Sequence, residues 1–261
     1  MYMWRIWKVG TSFKQYLYEK QDYTKIKTHL EYHDTLNPKL WEQNKLSQRV
    51  SDALERIAQE FIEFLAIPSS SVSDIIITGS NCSFNYSKLS DIDLHLIVNE
   101  KNACPDCPGS FIKDCFKAKK NLWNRDHNIK IHGYPVELYA QPEGDNLVAA
   151  GIYSLRKNKW IKHPSNNAEL VPPSFDDISV KSKAGELMDQ IDAAIDDKVT
   201  DRDSIQILKD RIKRLRQSGL EKGSEYSVEN LAWKTVRNNG YLDKLDNYVK
   251  NLDDASLSLE D

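Results

Sequence analysis

The chain contains no apolar run of membrane-spanning length; its unbroken hydrophobic stretches are the size of a short strand, whereas a spanning helix needs about 20 such residues. It also lacks a strong excess of either charge. Lys and Arg number 36 against 39 Asp and Glu, a formal net charge of −3, so no global basic footprint advertises a nucleic-acid binder, though a local patch stays open. The N-terminus, Met1 to Trp7, is apolar but short, is broken by Arg5, and has no small-residue cleavage site, which argues against a secretory leader. Cysteines number four. Cys104-x-x-Cys107 has no second Cys or His pair at finger-like spacing, so a thiol cluster with Cys115 is favoured over zinc. Reduced thiols without a leader imply a cytoplasmic location. Internal repeats and low-complexity segments are missing too. The 261 residues suffice for one large domain or two modest ones with a substantial core.

What is present changes character along the chain. Residues 1 to about 33 mix aromatics with charge, and a peripheral helix or hairpin is expected. Asn37-Pro38 reads as a helix start. From Ser47 onward Val50, Leu54, Ile57, Phe61 and Phe64 recur in steps of four and three, the stripe of an amphipathic helix packed on a sheet. Pro68 and the serines after it lead into a β-branched strand, Ile75 to Ile77. A loop follows Val98. A helix is expected over 111–123 with Phe111, Cys115, Ala118 and Leu122 inward, then a hairpin turning at Gly133-Tyr134. Residues 151–160 form a basic stretch with no assigned conformation.

Three prolines mark 164–175 as a linker. Beyond it lie four helical stripes, the third capped by Ser227 and closed by Gly240, and then an acidic tail, 253–261, expected to fray. The expected architecture is α+β: a small mixed sheet with flanking helices over 1–163, followed by a C-terminal helical bundle over 176–252.

The chemistry concentrates in one stretch. Ile75-Ile-Ile-Thr-Gly79-Ser80 is a buried strand ending in a Gly-Ser turn, and Asp91-Ile-Asp93-Leu-His-Leu-Ile-Val98 is a strand of period two. Ile92, Leu94, Leu96 and Val98 take one face; Asp91, Asp93 and His95 take the other. Two carboxylates at i and i+2 repel unless a cation lies between them, and a hard divalent ion, Mg²⁺ above all, suits oxygen ligands. Glu137 stands on the polar side of a later strand, Val136-Glu137-Leu138. The plain reading of each residue is a solvated strand face. His95 lies further along and reads as a residue behind the ligands or on the surface rather than a ligand.

Thr78-Gly79-Ser80, Ser90-Asp91-Ile92-Asp93-Leu94 and Val136-Glu137-Leu138, in that order, resemble the nucleotidyltransferase superfamily typified by DNA polymerase beta. The resemblance covers about Ile75 to Tyr139 and departs from the commonest pattern in having Glu rather than Asp as third carboxylate. The loop Asn81 to Tyr86 also departs from the small or basic residues usual there. The resemblance implies that Asp91, Asp93 and Glu137 are catalytic and hold Mg²⁺, with Mn²⁺ as a substitute, and that Gly79 and Ser80 meet the triphosphate of an NTP such as ATP. It implies transfer of a nucleoside monophosphate to a hydroxyl acceptor, which could be an RNA end, a protein, a small molecule or a nucleotide. The alternative is a catalytically weak nucleotide-sensing or partner-binding module on the same fold. Lys209, Lys213 and Arg216 share one helix face and read either as a solvated stripe or as the phosphate-holding wall of a cleft between the halves. Lys234 and Arg237 allow the same two readings. We expect Lys209 or Lys213 to reach the β- or γ-phosphate.

Overall fold

The structure, a computed structural model, describes residues 22–145, 147–164 and 178–259, without the side chains of 222–224. The expected linker apart from Pro164, and most of the N-terminal stretch, lie outside these residues. A strand pair, β1 (Trp41–Glu42) and β2 (Lys45–Leu46), precedes α1 (Gln48–Leu65), then β3 (Val72–Thr78) and β4 (Ile92–Val98). Two helices, α2 (Glu100–Ala103) and α3 (Gly109–Asp126), lead to β5 (Lys130–Ile131), β6 (Tyr134–Pro142), β7 (Ile152–Ser154) and β8 (Lys159–Lys162). The C-terminal helices are α4 (Ile178–Asp196), α5 (Arg202–Gly223), α6 (Val228–Asn238) and α7 (Tyr241–Leu257). The architecture is α+β.

Among the described residues, β5-β6-β4-β3-β7-β8 form one mixed six-stranded sheet. Its β4–β6 pair is parallel and the others are antiparallel. A parallel pair needs a crossover between its strands, which α2 and α3 supply. The alternation expected in β4 is present: Ile92, Leu94, Leu96 and Val98 are all buried in one core with Val136 and Leu138 of β6. Helix α1 covers that face with Val50, Leu54, Ala58, Phe61, Ile62 and Leu65. It starts where the sequence indicates, with the Ser47 side chain accepting from the Val50 N–H, and ends at Ala66 in the left-handed conformation.

Helix α3 corrects the sequence reading. Ile112, Phe116 and Trp123 are its buried residues, while Phe111 is 60% exposed and Leu122 is also exposed. Both stripes have helical spacing, and only the docking angle of α3 against Phe61 and Phe64 chooses between them. Asn37-Pro38 does not open a helix either. The Asn37 side chain accepts from the Lys39 N–H, and its carbonyl from Leu40 and Trp41, closing a turn into β1. The hairpin turn falls on His132 and Gly133, both at positive φ, as a two-residue connection of twisted strands requires. The basic stretch becomes β7 and β8. Cys104 and Cys107, expected as free thiols, are joined: the Cys107 N–H donates to the Cys104 carbonyl in a tight turn, bringing the Cα atoms to 5.4 Å for a disulfide. Cys115 stays free and outside that bond.

The C-terminal helices enclose a second core of Val180, Ala184, Leu187, Ile191, Ile212, Leu231, Val236 and Leu245, among others. Ile26 and Leu30, from the N-terminal segment, pack on this core, and the side chains of Asn238 and Asn239 donate to backbone carbonyls of residues 27–29. Asp253 and Asp254, expected in a frayed tail, lie within α7, where Asp253 pairs with Arg202. No helix among the described residues is long and apolar enough to cross a membrane.

Candidate active site

Register builds the site. In the parallel β4–β6 pair Asp93 stands opposite Glu137, and in the antiparallel β3–β4 pair Thr78 stands opposite Asp93. Strand β3, ending at Thr78, therefore delivers the Gly79 turn to the carboxylate. Gly79 has φ +81°, and a Cβ there would collide with Asp93 Oδ2 and lie 3.0 Å from Asp93 Cγ. Glycine is needed on both counts, since an L side chain is strained at this φ and has no room. Asp91 lies one residue before β4. Its carbonyl accepts from the Asn81 side-chain amide at 2.7 Å. Asn81, fully buried, is itself held by the Asn37 amide at 2.8 Å and, through its own carbonyl, by the Trp41 indole at 2.8 Å.

Asp91, Asp93 and Glu137 each offer a carboxylate oxygen, and the three atoms lie within 4.8 Å of one another. All three residues are half-buried. Burial, followed by repulsion from Asp91 and Glu137, pushes the Asp93 carboxyl up to about 7, against the opposing pull of Arg237 and Arg216. Such a cluster is poorly satisfied alone, and its hard oxygen donors fit a divalent cation. Ser80, two residues beyond Thr78, donates its hydroxyl to Ser90 Oγ at 2.8 Å, which also accepts from the Ser87 N–H at 2.9 Å. A buried bond network thus sets the loop from the Gly-Ser turn to the Asp pair.

His95 continues the polar face but is not part of the carboxylate group. It stands opposite Tyr139, stacks on that ring at 4.4 Å, and its Nδ1 meets Gln141 Oε1 at 2.8 Å. Burial lowers its pKa to about 4, so the imidazole is neutral at physiological pH. The Tyr139 hydroxyl donates to Glu137 Oε2 at 2.7 Å, and burial raises its pKa far enough to keep it protonated. Lys120 reaches the same place from α3, with its ammonium 3.9 Å from the Tyr139 ring centroid. One turn later, the Asn124 side chain bonds both the N–H and the carbonyl of Leu138, fixing α3 along the β6 edge.

The helical half supplies the cations. The Arg216 guanidinium lies 3.8 Å from the Trp233 ring centroid, with Arg237 at 5.3 Å from the same ring. Burial and Arg237 depress the Arg216 pKa while Asp93 and Asp91 act the other way, and the Arg216 Nε is buried with no hydrogen-bond partner. Lys234 is lowered mainly by burial and is also acted on by Glu225 and Asp91. Glu225 ties the halves together: its carboxylate accepts from Ser83 Oγ at 2.6 Å and Asn85 Nδ2 at 3.0 Å. The lysines expected on this face are placed differently. Lys209 pairs with Asp246 at 2.6 Å, across to α7, and Lys213 is exposed. Of that stripe, Arg216 is the member that acts on Asp93. Tyr139 and Lys120 were not among the expected site residues, although period two places Tyr139 on the same face as Glu137.

No protein-family profile matches this chain, and no curated protein matches it. Among solved structures, the STING-associated CdnE c-di-GMP synthase from Capnocytophaga granulosa aligns over 81% of this chain and 84% of its own, at 15% identity and a TM-score of 0.21. A likeness of that degree fixes neither fold nor activity.

Proposed function

We propose that this protein is a metal-dependent nucleotidyltransferase that moves a nucleoside monophosphate from an NTP to a hydroxyl acceptor and releases pyrophosphate. The observation that carries the reading is the convergence of Asp91, Asp93 and Glu137 on one another from two registered strands, beside a turn where only glycine fits. A pair of Mg²⁺ ions, or Mn²⁺ in their place, would neutralise the oxygens of an in-line displacement at phosphorus. Asp91 and Asp93 would hold both ions, and Glu137 would complete the acceptor-side position. In the displacement the acceptor oxygen bonds to the α-phosphorus, and the bond from that phosphorus to its β-bridging oxygen breaks. Glu137 receives the hydroxyl proton and pyrophosphate departs with the electron pair.

Carboxylates repel a triphosphate, so the reading also needs cations. We assign that role to Arg216, Lys234 and Arg237, with Gly79 and Ser80 lining the phosphate path, because the two arginines act on Asp93 and Lys234 is acted on by Asp91, whereas Lys209 pairs with Asp246. The nucleotide then sits between the sheet and the helical half, where Glu225 holds the two together.

Incubation with each labelled NTP, Mg²⁺ or Mn²⁺ and a panel of hydroxyl acceptors is the direct test, read as pyrophosphate release. Asp91→Ala and Asp93→Ala should each abolish release. Tight NTP binding without turnover under any acceptor would replace the enzyme by a nucleotide sensor, and turnover that survives both substitutions would remove the carboxylates from the chemistry.

A further inference from the structure

The third carboxylate is a glutamate, with one more rotatable bond than an aspartate. A free Glu137 at a strand surface would sample several rotamers, and fixing it on a ligand would lose that freedom. The structure holds it already. Tyr139 lies two residues on, on the same face of β6, so its Cα is about 6.6 Å away and its long phenol reaches back to Glu137 Oε2 at 2.7 Å. One oxygen is thereby engaged, and a Glu137 carboxylate oxygen lies within 4.8 Å of those of Asp91 and Asp93.

The phenol is itself fixed. The His95 imidazole stacks on it at 4.4 Å with 7° between the planes, and His95 is anchored by Gln141. The Lys120 ammonium, 3.9 Å from the Tyr139 ring centroid, is delivered by a helix bolted to the β6 edge through Asn124. Asp93↔Glu137, His95↔Tyr139 and Ile97↔Gln141 are successive same-face pairs in the parallel register. The polar rail along β4 and β6 therefore ends at the carboxylate cluster.

We propose that Tyr139 is the positioning residue of the site: its hydroxyl, braced by His95 and Lys120, presets Glu137 for the acceptor-side cation. The inference rests on the nucleotidyltransferase reading and adds a residue to it. Outer partners of ligating carboxylates typically change metal affinity or activity about ten- to hundredfold when removed.

The test is Tyr139→Phe, which keeps the ring and the stack and deletes the hydroxyl. Mn²⁺ affinity is measured by titration calorimetry, kcat and KM for the NTP by pyrophosphate release, and thermal unfolding serves as the folding control. Mn²⁺ affinity should fall about tenfold, and kcat should fall with little change in KM. The same substitution made in a Glu137→Asp background should then have under a twofold effect, because the shorter carboxylate cannot reach the hydroxyl. Tyr139→Phe matching wild type in Mn²⁺ affinity, or costing as much in the Glu137→Asp background, overturns the positioning role and leaves the nucleotidyltransferase reading intact. Wild-type protein that binds no Mn²⁺ and releases no pyrophosphate overturns both.

Discussion

Replacing Asp93 by Asn should make the metal-free protein more stable while removing its response to metal. A carboxyl raised from 3.8 to about 7 represents about 4 kcal/mol of destabilisation at pH 7, at about 1.4 kcal/mol per pH unit. Repulsion is shared with Asp91 and Glu137, so the substitution should recover about 2–4 kcal/mol. The pH dependence carries the sharper signature. Between 3.8 and about 7 native Asp93 binds more proton than the unfolded chain, so its contribution to stability falls as pH rises through that window. His95 does the reverse. Its native pKa is depressed from 6.5 to about 4, so its contribution is full above 6.5 and is lost as pH falls toward 4. The two slopes oppose each other between about 4 and 6.5 in the wild type. In Asp93→Asn the His95 slope stands alone, and stability should rise by about 3 kcal/mol across that range. Urea unfolding from pH 4 to 7.5, with and without Mg²⁺, reads all of this. Metal should stabilise the wild type and leave the variant unchanged. A variant no more stable than wild type at pH 7 without metal, or one with an unaltered pH slope, would refute the electrostatic account of the cluster.

Gly79→Ala should destabilise the fold by at least about 1–2 kcal/mol through its positive φ, and should abolish metal binding because the new methyl group displaces the Asp93 carboxylate; calorimetry with Mn²⁺ checks it. Arg216→Met with Arg237→Met should raise KM for the NTP at least about tenfold and flatten its salt dependence, whereas the same change at Lys209 and Lys213 should alter neither. Leu94→Ala, at a fully buried position in the centre of the sheet, should cost about 2–5 kcal/mol in urea unfolding without moving the wild-type dependence on Mg²⁺ concentration.

The sequence alone determined the local structure around the site. Period two in Asp91 to Val98 already assigns Ile92, Leu94, Leu96 and Val98 to the core and the carboxylates to the opposite face, because a strand has only two faces. Ser47 marked the start of α1 for an equally local reason, since a side-chain oxygen there satisfies an N–H three residues on. The tertiary structure decided whatever depended on a partner distant in sequence. Helix α3 carries two apolar stripes of helical spacing, and its docking on Phe61 and Phe64 selected Ile112, Phe116 and Trp123 over the more conspicuous Phe111 and Leu122. The placement of the basic stripe was decided the same way. Lys209, Lys213 and Arg216 share a helix face in sequence, but Asp246 pairs with the first, the second is exposed, and Arg216 lies where Trp233 and the carboxylates act on it. A charge stripe fixes which side chains point together; what they point at is set by helix packing, which no local pattern encodes.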